Sequence, residues 1–182
     1  MSLPKRVSDV VLRAYKRKKQ ASANLSLAHC LRVARITATR TKYCHLVTTA
    51  PDGPPRARLV QPIVEEDDFR FFIGTHPQSR KVAEIGANSA VTLAFNQSGE
   101  DASLVVYGTA TVHRTPAVTE RYWKSAWRLF FPDGPQGDDY AVVEVRADKL
   151  ELISFQRNVI PEPFGLRPVV LVRNEAGWRV KE

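Results

Sequence analysis

At 182 residues, 43% hydrophobic and 25% charged, the chain has enough apolar material for one core and too little length for two domains of usual size. This composition excludes wholesale disorder, and no run of about 18 apolar residues is present to cross a membrane as a helix. The net charge of +8 is uneven: residues 1–49 hold eleven Lys/Arg and one acid, Asp9, whereas the rest is nearly neutral, so a protein-wide nucleic-acid surface is not expected.

The first predicted element is a short basic helix over 5–20, with Val7, Val10, Val11, Ala14 and Tyr15 on one stripe. Ala21 to Asn24 reads as a break. A second helix follows at about 26–38, its Leu27, Leu31, Ala34 and Ala38 spaced for burial. The period then changes to two. His45–Thr49 reads as a strand, Asp52-Gly53 as a hairpin turn and 56–61 as the return strand. Glu65-Glu66-Asp67-Asp68 marks a loop before a strand at 69–73. A helix over 78–85 is stopped by Gly86 and Asn88. Strands follow at 91–95 and 103–113. Thr115-Pro116 opens a helix expected to reach Leu129. The segment from Phe130 to Pro135 reads as irregular, with further strands at 140–146, 149–155, 168–173 and 177–181.

Short strands in hairpins, interrupted by helices rather than alternating with them, predict an α+β protein: an antiparallel barrel with peripheral helices. The motifs of dinucleotide folds, phosphate loops, zinc proteases and α/β-hydrolases are all absent. His29-Cys30 and Cys44-His45 form a mirrored pair, but their spacing fits no common zinc module, and no metal is expected. Two cysteines do not make a disulfide framework, and no apolar leader follows the N-terminus, so a reduced, cytoplasmic setting is expected.

The most informative segment is Phe71-Phe72-Ile73-Gly74-Thr75-His76-Pro77-Gln78-Ser79-Arg80-Lys81. A buried strand runs into a turn, and two cations fall in the first helical turn, where the helix dipole disfavours them. An anion would resolve that conflict. Backbone N–H groups, the Ser79 hydroxyl, Arg80 and Lys81 together would make a phosphate site. The alternative is two solvated bases on a surface helix. On the preceding hairpin, Arg56, Arg58 and Val60 share one face, from which an arginine can reach the same anion; the alternative there is a solvated edge strand.

These residues resemble the FMN-binding split barrels of the pyridoxamine 5′-phosphate oxidase-like family, and the general stress protein branch in particular. The resemblance covers roughly residues 28–155. Asp52 to Arg58 is similar to the family's first hairpin, which implies a phosphate-binding role for Arg58. Thr75-His76-Pro77-Gln78-Ser79-Arg80-Lys81 is similar to its Thr-x-x-x-Ser-Arg-Lys segment. The segments 88–95 and 105–110 match the next two strands, and 122–134 resembles the stress-protein helix and loop. The resemblance implies a split β-barrel with peripheral helices; the chain is divided accordingly into a basic helical extension, 1–24, and a barrel domain, 25–182. It also implies a homodimer with FMN at the subunit interface and a flavin-dependent oxidoreductase acting on a small-molecule substrate. Arg58, Ser79, Arg80 and Lys81 would hold the FMN phosphate, Thr75 would lie near the ribityl chain or ring, and Gln61 would reach the ring. No residue stands out as a general acid or base.

Two departures weigh against vitamin B6 phosphate as substrate. Ile63 stands where the oxidases carry a lysine, and their C-terminal Arg-x-His pair has no counterpart beside Arg167. Related split barrels use a deazaflavin or haem instead. The aromatic cluster Trp123, Trp127, Phe130 and Phe131 reads as core and dimer packing or as a wall against the flavin ring. The basic helix, with Arg13, Lys16, Arg17, Lys18 and Lys19, offers a non-enzymatic nucleic-acid reading; the favoured reading packs its apolar stripe on the barrel.

Overall fold

The computed structural model describes residues 5–50, 53–65 and 68–181. The hairpin turn at Asp52 and the middle of the acidic loop, Glu66 and Asp67, lie outside them. Helices α1 (Lys5–Ala21) and α2 (Leu27–Arg40) precede strands β1 (Cys44–Thr49), β2 (Pro55–Val60), β3 (Pro62–Glu65) and β4 (Arg70–Thr75). Helix α3 (Arg80–Ala87) leads to β5 (Ala90–Gln97) and β6 (Ala102–His113). Helix α4 (Pro116–Arg121) is followed by β7 (Ala141–Ser154), β8 (Val169–Asn174) and β9 (Gly177–Val180).

All strand pairs are antiparallel, in the order β2-β1-β5-β6-β7-β4-β3, with β8 added to the far end of β7 and β9 to β8. The two ends of that path, β2 and β3, are consecutive in sequence and joined through Gln61 alone. The sheet therefore curls until its ends meet at one short hinge. This is an antiparallel split barrel with peripheral helices, as expected.

Helix α2 closes the core. Its buried stripe is Cys30, Val33, Ala34, Thr37 and Ala38, a helical spacing of three and four residues. Leu27 and Leu31 pack at the edge of that core. Alternate strand residues such as Leu46, Leu93, Leu104, Val106 and Leu150 fill the interior. Cys30 and Cys44 are free thiols within it, and burial pushes the Cys44 thiol up to about 12.

Strand β3 is an element for which the sequence pattern carries no expectation over 62–64; Pro62 starts it and so needs no ladder hydrogen bond before it. Three expectations are corrected. Gly86 does not stop α3; it lies inside the helix, and the Asn88 N–H closes the last turn on the Glu84 carbonyl at 2.8 Å. The predicted break near 147 is instead a bulge in one continuous strand. Asp148 is the extra residue, opposite the Tyr107–Gly108 step. Gly108 is needed there, since a Cβ would lie 2.0 Å from the Arg146 carbonyl oxygen.

The helix predicted over 115–129 ends at Arg121, and a short 3-10 segment, Ser125–Leu129, replaces its second half. Aromatic packing overrides helix propensity here. Tyr122 stacks on Phe72 with centroids 3.5 Å apart, and the buried Tyr140 hydroxyl donates to the Tyr122 carbonyl at 2.7 Å. Trp123 then turns edge-on to Tyr140. The result is a second small core on the outer face of β4 and β7, made of Phe72, Tyr122, Trp127, Tyr140 and Val142.

The apolar stripe of α1 does not pack on the barrel within the single chain: Val10 is 67% exposed, and Val11 and Tyr15 are also more than half exposed. The helix docks by its C-terminal half instead. Lys19 Nζ donates to the Phe155 carbonyl at 2.9 Å, and the Tyr15 ring meets Phe164 edge-on.

Candidate functional site

A cavity of about 430 Å³ opens at the hinge between β2 and β3. Arg58, Leu59, Val60 and Gln61 line one side; Ile73, Gly74 and Thr75 of β4 line the other, with Ser79 and Lys81 at the start of α3. The Trp127–Phe131 stretch supplies an aromatic wall through Trp127, Phe130 and Phe131. That volume lies within the range of small-molecule sites. A larger cavity of about 630 Å³, between Lys149 and Arg167, holds none of the predicted site residues.

The local sequence explains the cavity's shape. Phe71 and Ile73 turn into the barrel, so Phe72 faces outward beneath Tyr122. Gly74 brings the Trp127 ring against the strand: a Cβ there would lie 2.7 Å from Trp127 Cζ3 and 3.0 Å from Tyr140 Cε2. After Thr75 the chain turns through His76 and Pro77. The Ser79 N–H donates to the His76 carbonyl at 3.0 Å, and α3 begins.

The polar groups converge at the α3 N-terminus. Lys81 Nζ donates to Thr75 Oγ1 at 2.8 Å, and Thr75 Oγ1 lies 3.0 Å from Ser79 Oγ. Ser79 occupies the N-cap position without using its hydroxyl to cap the helix. Burial and the nearby Arg58 charge hold the Lys81 ammonium below its ordinary pKa, with Glu84 opposing them. Lys81 forms no ion pair among the described residues.

Sequence reasoning missed one member of this cluster, Glu84. It is almost fully buried on α3, yet charged partners surround it. Arg56 Nη1 donates to its Oε1 at 2.7 Å, while Arg58 Nη2, at 2.8 Å, and Thr48 Oγ1 both donate to its Oε2. The Thr48 bond, then those from Arg56 and Arg58, depress its pKa to about 2 against the cost of burial. The only sequence signal was the shared face of Arg56 and Arg58, which a solvated edge strand would explain as well.

Of the predicted residues, Arg58, Gln61, Thr75, Ser79 and Lys81 line one cavity. Arg80 is exposed and does not line it. Trp123 lines a neighbouring cavity instead, and Ile63 lies there too. Arg56, Arg58 and Lys81 carry three positive charges against one from Glu84. The excess of about two matches a phosphate monoester, which carries −1.5 to −2 near neutrality. The α3 dipole and the Ser79 hydroxyl, which does not cap the helix, favour the same ligand. The residues present therefore fit the phosphate end of FMN.

Residues 34–156 match the family model described as "Pyridoxamine 5′-phosphate oxidase like". The chain belongs to this family. No curated protein matches it at the sequence level. Among solved structures, it is similar to a pyridoxamine 5′-phosphate oxidase-related, FMN binding protein from Nostoc punctiforme. The TM-score is 0.65 and identity 16%, over 85% of this chain and 93% of that one. General stress protein 26 from Bacillus anthracis aligns with a TM-score of 0.60 and 18% identity, covering 69% and 94% of the two chains. An F420 reductase gives 0.50 and 21%, over 64% of this chain and 94% of that one. At these identities the structural likeness supports the split-barrel fold. Among the described residues, no helix is long and apolar enough to cross a membrane.

Proposed function

We propose that the protein is an FMN-binding oxidoreductase acting on a small substrate at the β2–β3 hinge. The observation that carries this reading is the cavity where Arg58, Ser79 and Lys81 gather beside aromatic walls, with more positive charge than the buried Glu84 neutralises. Arg58 and Lys81 would hold the phosphate by charge-assisted hydrogen bonds, and Ser79 would add a neutral one. Arg80 would contribute from the solvent side. Thr75 would border the ribityl chain, with Gln61 reaching the ring. When bound, FMN supplies two-electron transfer. The chain's own work is to bind, orient and shield: Trp127, Phe130 and Phe131 exclude water along one wall, and Glu84 fixes the arginines.

Titrating FMN and riboflavin into wild type and the R80A, K81A and double variants tests the phosphate clamp. Losing one charge-assisted bond costs about 1.5–3 kcal/mol, so K81A weakens FMN by about ten- to a hundredfold. Riboflavin, without the phosphate, is hardly affected. R80A costs less than K81A, because Arg80 stands off the cavity. Equal losses for both ligands, or none, would place the phosphate elsewhere. The likeness to an F420 reductase favours a second reading, a deazaflavin held by the same cations; the absorption spectrum and mass of the released cofactor separate the two.

A further inference from the structure

A second cavity, of about 600 Å³, lies directly beside the proposed flavin site and shares Gln61 with it. It is bounded by the C-terminal end of α2, by Pro62, Ile63 and Val64 of β3, and by Trp123 and Lys124. The paired tryptophans divide the two spaces. Trp123 faces this cavity and Trp127 the other, with their rings edge-on at 6.4 Å.

The charge of this cavity is one-sided. Arg40, Lys42 and Lys124 line it, and among the described residues no acid does. Arg40 is spent on Glu100 at 3.1 Å. Lys42 and Lys124 form no ion pair among the described residues; each lies over an aromatic ring instead, Lys42 Nζ 5.1 Å from the Tyr43 centroid and Lys124 Nζ 5.2 Å from that of Trp127. A π-face compensates a desolvated ammonium only in part. The Lys124 ammonium is held below its ordinary pKa, by burial first and the Lys42 charge second. Two cations without an ion-pair partner among the described residues, beside an apolar floor of Pro62 and Ile63 and with an indole at the side, describe a site for a compact anion with a flat or apolar body.

We infer that this cavity binds a small organic carboxylate, with Lys42 and Lys124 holding the anionic group and Trp123 flanking the apolar body. Such a molecule is placed to meet a flavin across Gln61. That catalytic role rests on the flavin reading; the anion site does not.

The test uses the full chain without added cofactor, benzoate as probe and benzamide as its neutral isostere. Trp123 and Trp127 report binding by intrinsic fluorescence. Benzoate should give a saturable change and benzamide none. K42A/K124A should weaken benzoate about tenfold or more, as expected for losing one partly buried and one exposed cation together, while leaving FMN affinity within about twofold. Lys42→Arg with Lys124→Arg should retain benzoate binding, which separates charge from folding. No fluorescence response to benzoate, an equal response to benzamide, or unchanged benzoate affinity in K42A/K124A would overturn the site. A response to benzoate in a protein that fails to bind FMN would leave the anion site standing and sink the flavin reading alone.

Discussion

At the scale of single residues, Glu84 organises the site. It is a buried carboxylate whose partners come from two strands: Thr48 on β1 and Arg56 and Arg58 on β2. Each arginine keeps some solvent access, which limits what the pairs contribute. Glu84→Gln removes the charge but keeps the volume. It should cost about 2–3 kcal/mol, below the full range for breaking a buried pair. It also frees the Arg58 guanidinium from its fixed position, so FMN affinity should fall although a negative charge has been removed near an anion. Denaturant unfolding with an FMN titration checks both; tighter FMN binding at unchanged stability would mean that Glu84 merely competes with the phosphate. The pH dependence follows from the same bonds. Because the folded pKa is depressed from 4.5 to about 2, Glu84 stabilises the fold above about pH 4.5. That contribution disappears as pH falls towards 2, and E84Q should lack this part of the acid transition.

At the scale of elements, β4, its turn and α3 were legible because the information is contiguous: apolar run, Pro77, an N-cap serine and two cations in eleven residues. Glu84 was not legible. A glutamate on a helix ordinarily reads as solvated, and only the β1–β2 hairpin, 26 to 36 residues earlier in the chain, buries it. The shortened α4 was equally hidden, since Thr115-Pro116 sets a helix start correctly while its end depends on Tyr140, which lies beyond the loop. The aromatic wall thus depends on tertiary packing, and Gly74 is its most exacting point. Gly74→Ala puts a methyl into the Trp127 and Tyr140 rings, on a strand held by β3 on one edge and β7 on the other. Overpacking of this kind costs about 1–3 kcal/mol, a loss of several degrees in Tm for a chain of this size. The displaced indole should also shift Trp fluorescence to the red. An unchanged melting curve and emission spectrum would show that Trp127 does not rest on β4.

At the scale of the whole molecule, the surface around the hinge exposes several large apolar side chains. Among the described residues strand β2 pairs only with β1, and its outward row is Pro55, Ala57 and Leu59, with Leu59 61% exposed. Exposed strand edges are ordinarily blunted by charge or covered. Here the arginines of β2 turn the other way, towards Glu84, and leave the outward row apolar. Phe130, 68% exposed, and Tyr43 border the same cavity, and Leu129 beside Phe130 is also exposed. Exposed apolar side chains around the proposed cofactor cavity are the kind of surface that a second protein covers. A two-fold pairing of identical chains supplies one by presenting the same patch twice. Light scattering should therefore give a particle of twice the 20.4 kDa chain mass. Leu59→Glu with Phe130→Asp should shift that mass towards the single chain and weaken FMN together with dimerisation, without touching a phosphate-binding residue. A wild-type monomer that persists after FMN is added would remove the need for a partner at the cavity. A double variant that becomes monomeric yet binds FMN normally would confine the site to one subunit.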